Sequence, residues 1–204
     1  MKYLKLFESL ENIHEVCKEY NITNYTINSD GSIDVDGNVN LKDRKLTKLP
    51  LKFRNVSGYF YCNNNNLTSL EGSPTHVGST FMCSYNNLTD LEGGPTHVGG
   101  NFYCGSNKLT SLEYGPSHVS GSFYCQYNNI TSLEGFQTHV SGDFYCDNNP
   151  VYEIWKLFKD KSKVELFNDY DIIRGTDIVL DRLNDFLITI SKKPVKSVRG
   201  YNNI

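Results

Sequence analysis

No run of about 18 consecutive apolar residues occurs in this 204-residue chain, so no membrane-spanning helix is predicted. Basic residues are missing from its middle. Between Tyr59 and Asn149 the only Lys or Arg is Lys108, and the whole chain carries a net charge of −3. A groove that tracks phosphates needs several cations, because released counterions drive that binding. Nucleic acid is therefore not expected as a partner of this region. The opening Met1-Lys2-Tyr3-Leu4-Lys5 meets Glu8 and Glu11 too soon for a secretory signal, which sets a cytoplasmic expectation. No phosphate loop, C-x-x-C pair or Ser-His-Asp set stands out, so neither an enzyme nor a cofactor is expected.

What is present is a repeat. Phe60-Tyr61-Cys62 returns as Phe81-Met82-Cys83, Phe102-Tyr103-Cys104, Phe123-Tyr124-Cys125 and Phe144-Tyr145-Cys146. The step is a constant 21 residues, counted from Phe60 to Phe81 and onward, and a fixed period in this range marks a repeat architecture. Val56, Val77, Val98, Val119 and Val140 precede each unit. Asn65, Asn86, Asn107, Asn128 and Asn149 follow it, then Leu67, Leu88, Leu109, Ile130 and Val151. Residues 35–56 fit the same register in degenerate form, as a more charged first coil with Lys42, Arg44, Lys45 and Lys48. Terminal repeats differ because they close an open core end.

Within a unit, Phe and Cys lie two apart on a short strand and point inward; the Tyr between them points outward. Cys17 and the five repeat cysteines are expected as reduced core thiols, since free Cys behaves as a small buried hydrophobe. Each Asn is expected to bond turn backbone. His76, His97, His118 and His139 form a second column, about 5 Å apart from coil to coil. That spacing suits packing against the back turn, with bonds to backbone carbonyls, better than a shared metal. Glu71, Glu92, Glu113 and Glu134, with Asp90, read as a solvated edge.

The flanks lie outside the period. Residues 3–20 read as an amphipathic helix through Leu4, Phe7, Leu10, Ile13, Cys17 and Tyr20. Asp30-Gly31 between Tyr25/Ile27 and Ile33/Val35 reads as a tight hairpin with positive φ at both turn residues. After Pro150 a helix over 151–158 is expected, then an extended stretch over 164–173. Thr176 is read as the N-cap of a helix reaching about Ile190. Residues 191–204 read as a loose tail. The predicted division is 1–34 for an N-terminal helix and hairpin cap, 35–154 for the repeats, and 155–204 for a C-terminal helical cap and tail.

The unit resembles a leucine-rich repeat: L-x-L-x-x-N-x-L-x-x-L is met by Phe102, Cys104, Asn107, Leu109 and Leu112. The Pro-containing back of most units is similar to the bacterial-effector type. The wording also resembles uncharacterised repeat proteins of large tailed bacteriophages. The leucine-rich-repeat resemblance implies an α/β repeat solenoid: a curved parallel sheet on the concave face, turns on the convex face, helical caps at both ends. The phage resemblance implies a role in binding a host protein, such as a defence factor. Effector-type ligase activity does not carry over, since no Cys follows Cys146.

The expected working surface is the outward column with its neighbours: Tyr61, Met82, Tyr85, Tyr103, Tyr124, Tyr127 and Tyr145. Tyr gives large contact area at low entropy cost, which favours a protein partner; a glycan is the alternative, and the plain alternative is cross-strand packing. An enzyme built on Asp169, Asp171, Arg174 and Asp177 is the third possibility. A monomer and a dimer both remain open.

Overall fold

The computed structural model describes residues 2–136 and 139–204. In the first helix, side chains are described from Leu10 onward, so the expected burial of Leu4 and Phe7 lies outside the described residues. The chain opens with α1 (Lys2–Glu19), whose Cys17 is buried. Next come β1 (Tyr25–Ile27) and β2 (Ile33–Val35), paired antiparallel with Tyr25 opposite Val35. The hairpin stands where expected, but its turn runs from Asn28 to Ser32. Only Gly31 (φ 76°) takes positive φ there. Asp30 instead accepts bonds from the backbone and hydroxyl of Ser32, which holds the turn from outside.

From here the chain winds in coils. The strands are β3 (Val39–Asn40), β4 (Phe53–Val56), β5 (Phe60–Tyr61), β6 (His76–Val77), β7 (Phe81–Met82), β8 (His97–Val98), β9 (Phe102–Tyr103), β10 (His118–Val119), β11 (Phe123–Tyr124) and β12 (Phe144–Tyr145). With β1 and β2 they form two six-stranded sheets. The front sheet runs β12-β11-β9-β7-β5-β3 and is parallel throughout; from β5 to β12 Phe stands against Phe and Tyr against Tyr, with Met82 in place of Tyr on β7. Val39 pairs with Phe60, so the degenerate first coil keeps the register of the rest.

The back is not a set of irregular turns, and this corrects the expectation. The second sheet runs β1-β2-β4-β6-β8-β10; its coils pair in parallel and a bridge from Val119 to Val140 extends it. The reason lies in the corners. The coil turns from back to front through small residues. A Cβ on Gly121 would sit 2.3 Å from Asn101 Oδ1 and 2.8 Å from Gly100 backbone. Without that Cβ, successive coils approach closely enough to bond on both faces.

The interior is a file of aromatic rings. Phe53, Phe60, Phe81, Phe102, Phe123 and Phe144 follow one another at centroid distances of 4.9–5.8 Å. Beyond Phe144 the file continues into α2 (Tyr152–Phe158), through Trp155 edge-on at 5.0 Å and then Phe158. Ile154, Trp155 and Phe158 are buried, as their spacing predicts. The stretch expected to be extended is instead α3 (Val164–Asp169), which buries Val164 and Phe167. Phe158, Phe167 and the Phe186 ring pack mutually at 5.2–5.5 Å.

Thr176 does not cap a helix. It sits in the two-residue turn Gly175-Thr176 between β13 (Ile173–Arg174) and β14 (Asp177–Ile178). Helix α4 (Leu180–Thr189) starts later and buries Leu183, Phe186 and Leu187. Nor is the tail loose. Its β15 (Asn202–Asn203) pairs with β14, Val198 is buried, and the Tyr201 hydroxyl donates to the carbonyl of Thr131 at 2.9 Å. Among the described residues no helix is long and apolar enough to cross a membrane.

Candidate functional site: the outer face and edge of the front sheet

Three columns determine what each coil presents. The first is internal. Each repeat Asn is a four-way bracket between its own coil and the one before. Asn86 Oδ1 accepts the Leu67 N–H at 2.9 Å, and its Nδ2 donates to the carbonyls of Cys62 and Cys83, both at 3.0 Å. Asn107, Asn128 and Asn149 repeat the pattern, and Asn65 makes it with the first coil. The expectation of a turn bond is met, and the bracket also crosses the gap between coils.

The second column is the thiols. All six cysteines are free and buried. Burial pushes Cys62, Cys83, Cys104, Cys125 and Cys146 far above the usual thiol range. Cys83 and Cys125 Sγ lie 3.4 Å from the carbonyls of Tyr103 and Tyr145. These are packing groups whose thiolates are suppressed.

The third column faces outward. Tyr103 and Tyr124 stack at 4.4 Å and 9°, and Tyr124 and Tyr145 at 4.7 Å and 7°. Tyr61 stacks instead on Tyr59, at 4.2 Å, because Met82 breaks the ladder between Tyr61 and Tyr103. Neighbours orient the hydroxyls. Asn101 Nδ2 donates to Tyr103 Oη at 3.1 Å, and Tyr145 Oη donates to Asp143 at 3.1 Å. Burial, followed by the adjacent Tyr124, raises the Tyr103 hydroxyl above its ordinary range.

Tyr85 and Tyr127 do not belong to this stack. They lie just past the strands, in a turn position shared with Asn64, Ser106 and Asn148. All five residues have φ between 54° and 58°. That left-handed conformation suits Asn and costs a bulky residue. Both tyrosines are 63% exposed. So the front sheet carries a half-buried stack, and beyond its strands stand two free rings on strained backbone.

A third such residue escapes the column reading. Tyr114 (φ 61°) is 65% exposed and stands where other coils place Gly72, Gly93 and Gly135, on the far loop. Its signal was in the sequence: Leu-Glu-Gly becomes Leu-Glu-Tyr in that one coil.

The other constellations resolve into structure. His76 and His97 stack at 4.7 Å, and His97 and His118 at 6.0 Å. All three are exposed on the back sheet. The rings of His97 and His118 bond hydroxyls rather than the backbone carbonyls expected: Thr96 Oγ1 for His97 and Ser120 Oγ for His118. Among the described residues no group of three His, Cys, Asp or Glu is placed to hold a metal. Of the acidic C-terminal set, Asp171 is clamped by Arg174 at 2.8 Å and Arg182 at 2.5 Å, which hold its carboxyl below the usual range. Asp177 accepts from Asn202. No protein-family model, curated protein or solved structure matches the chain.

Proposed function

We propose that this chain is a leucine-rich-repeat-like solenoid whose front sheet is the concave contact face of a protein-binding module, and that it performs no catalysis itself. The observation that carries the reading is the placement of Tyr85 and Tyr127. Both occupy a turn where Asn64 and Asn148 show the unstrained solution, and both leave their rings in solvent. Strain of this kind costs about 1–2 kcal/mol per residue, and rings left 63% exposed bury little apolar surface in return. Large rings held at that cost fit a surface made for contact.

The neutral stack beside them supports the same reading. Lys108 is the one Lys or Arg from Tyr59 to Asn149, so the face offers area and hydroxyls without a strong positive field. On the Tyr103-Tyr124-Tyr145 stack a sugar partner is disfavoured by the stacking itself. Rings 4.4–4.7 Å apart cover one another's faces, and sugars dock on open faces. The phage resemblance points to a host protein as partner, in the host cytoplasm.

The test is affinity capture from bacterial lysate with wild type, Tyr85→Asn/Tyr127→Asn and Tyr114→Gly. Each variant relieves strained backbone, so each should melt at or above the wild-type temperature. A partner held by wild type and by Tyr114→Gly but lost from the double variant supports the face. A partner held equally by all three removes it.

A further inference from the structure

The two sheets end differently. On the back, the carbonyls of Val140 and Gly142 lie where a further coil would bond them. In earlier coils the equivalent carbonyls Val119 and Gly121 accept from Ser141 and Gly142 N–H. The Lys161 ammonium takes the place of that missing coil and donates to both Val140 and Gly142 carbonyls. That edge is closed.

The front edge is open. In the coil before, Phe123, Cys125 and Tyr127 donate their N–H groups to Asp143, Tyr145 and Asp147 carbonyls at 2.8–3.1 Å. The corresponding Phe144, Cys146 and Asn148 N–H groups find no acceptor among the described residues. A groove of about 680 Å³ runs along this edge. One wall is the strand from Asp143 to Asp147; the other includes Tyr152, Trp155 and Lys161. An unpaired strand edge is a template for another strand.

The sequence of the last coil adds charge. The positions flanking the outward tyrosine are Asp143 and Asp147. Earlier coils place Tyr59, Thr80, Asn101 and Ser122 at the first position, and Asn63, Ser84, Gly105 and Gln126 at the second. Only the coil with the open edge carries carboxylates there. Tyr145, the end of the ring stack, has no ring on its far side among the described residues.

We propose that this edge binds an extended peptide as a seventh parallel strand, with a basic residue two positions before and two positions after an aromatic one. The aromatic side chain continues the stack on Tyr145, and the cations lie over Asp143 and Asp147. The intervening residues are small, because Tyr152 and Trp155 line the groove. By the register of the sheet, Phe144, Cys146 and Asn148 N–H donate to the carbonyls of the first basic, the aromatic and the second basic residue. The aromatic residue's N–H returns a bond to the Phe144 carbonyl. This reading stands apart from the face reading, since Tyr85 and Tyr127 take no part in it.

The probe is an end-blocked Lys-Ser-Tyr-Ser-Lys peptide carrying a fluorophore, titrated with the full chain and followed by anisotropy. Saturable binding is expected. Asp143→Asn/Asp147→Asn should weaken it about tenfold, from two exposed charge pairs, and added salt should weaken it too. Methylating the peptide's tyrosine nitrogen should cost about fivefold or more, one lost hydrogen bond. Methylating the following serine nitrogen, which points away from the edge, should cost little. Absence of saturation, or equal loss from both methylations, overturns strand addition. Loss in Tyr85→Asn/Tyr127→Asn but not in the Asp143/Asp147 variant moves the peptide to the face. Self-association of the chain that the peptide displaces makes a second copy the occupant instead.

Discussion

At the residue scale, two side chains hold each coil to the next. Removing the amide of Asn86 strands the buried Leu67 N–H and leaves the Cys62 and Cys83 carbonyls one amide donor each, from Asn65 and Asn107. An unsatisfied buried group costs about 1–3 kcal/mol, so Asn86→Ala should lower the unfolding free energy by about 2 kcal/mol in urea titration. A loss below about 1 kcal/mol would show that water replaces the bracket. The thiols set a pH dependence. Their folded values are raised by burial, so the unfolded chain gives up these protons first. Stability is then full below the ordinary thiol pKa of about 8.5 and falls as pH rises above it, by up to about 1.4 kcal/mol per pH unit for each buried thiol. Thermal melts between pH 7 and 10.5 should show this fall, and Cys104→Ala should make it shallower by one thiol's share, leaving that of the other four. A melt unchanged to pH 10.5 sinks the account.

At the element scale, legibility followed length and period. The Phe-x-Cys strand and its Asn were readable because five copies repeat them. The β1–β2 hairpin was readable from its alternation, and α2 from Ile154, Trp155 and Phe158. The back sheet was not. A two-residue strand such as His97–Val98 is too short to show a period of two, and its parallel pairing depends on corner residues such as Gly121 whose role appears only when coils are stacked. Similarly, Gly175-Thr176 between apolar pairs is a two-residue turn signal, but Thr before a helical stripe is an equally valid cap. Tertiary pairing of β14 with the distant β15 decided between them. The candidate site was half legible: the strand tyrosines were found on the face, whereas Tyr85 and Tyr127 turned out to be turn residues, because positive φ leaves no mark on a tyrosine in sequence.

At the scale of the whole molecule, the ends decide where the array stops. The first coil packs on Cys17 and Ile22; the last packs on Trp155 and is closed behind by Lys161. Lys161→Met keeps the apolar stem and removes both donated bonds. It should cost about 1–2 kcal/mol, since water reaches part of this corner. Faster amide exchange should be confined to residues around Ser141 and Gly142. Exchange that rises uniformly along the chain would instead make Lys161 part of a global packing contact. The tail adds a long-range tie, as Tyr201 bonds a carbonyl 70 residues earlier.

The constant register has a consequence for ancestry and for engineering. Every inner coil offers its neighbour the same donors, acceptors and ring that it receives. A gene segment coding for one coil is therefore interchangeable with its neighbours, and slippage during copying yields a foldable product when whole coils are gained or lost. Array length becomes a variable that changes in discrete steps, while the two ends and their surfaces pass unaltered from one length to the next.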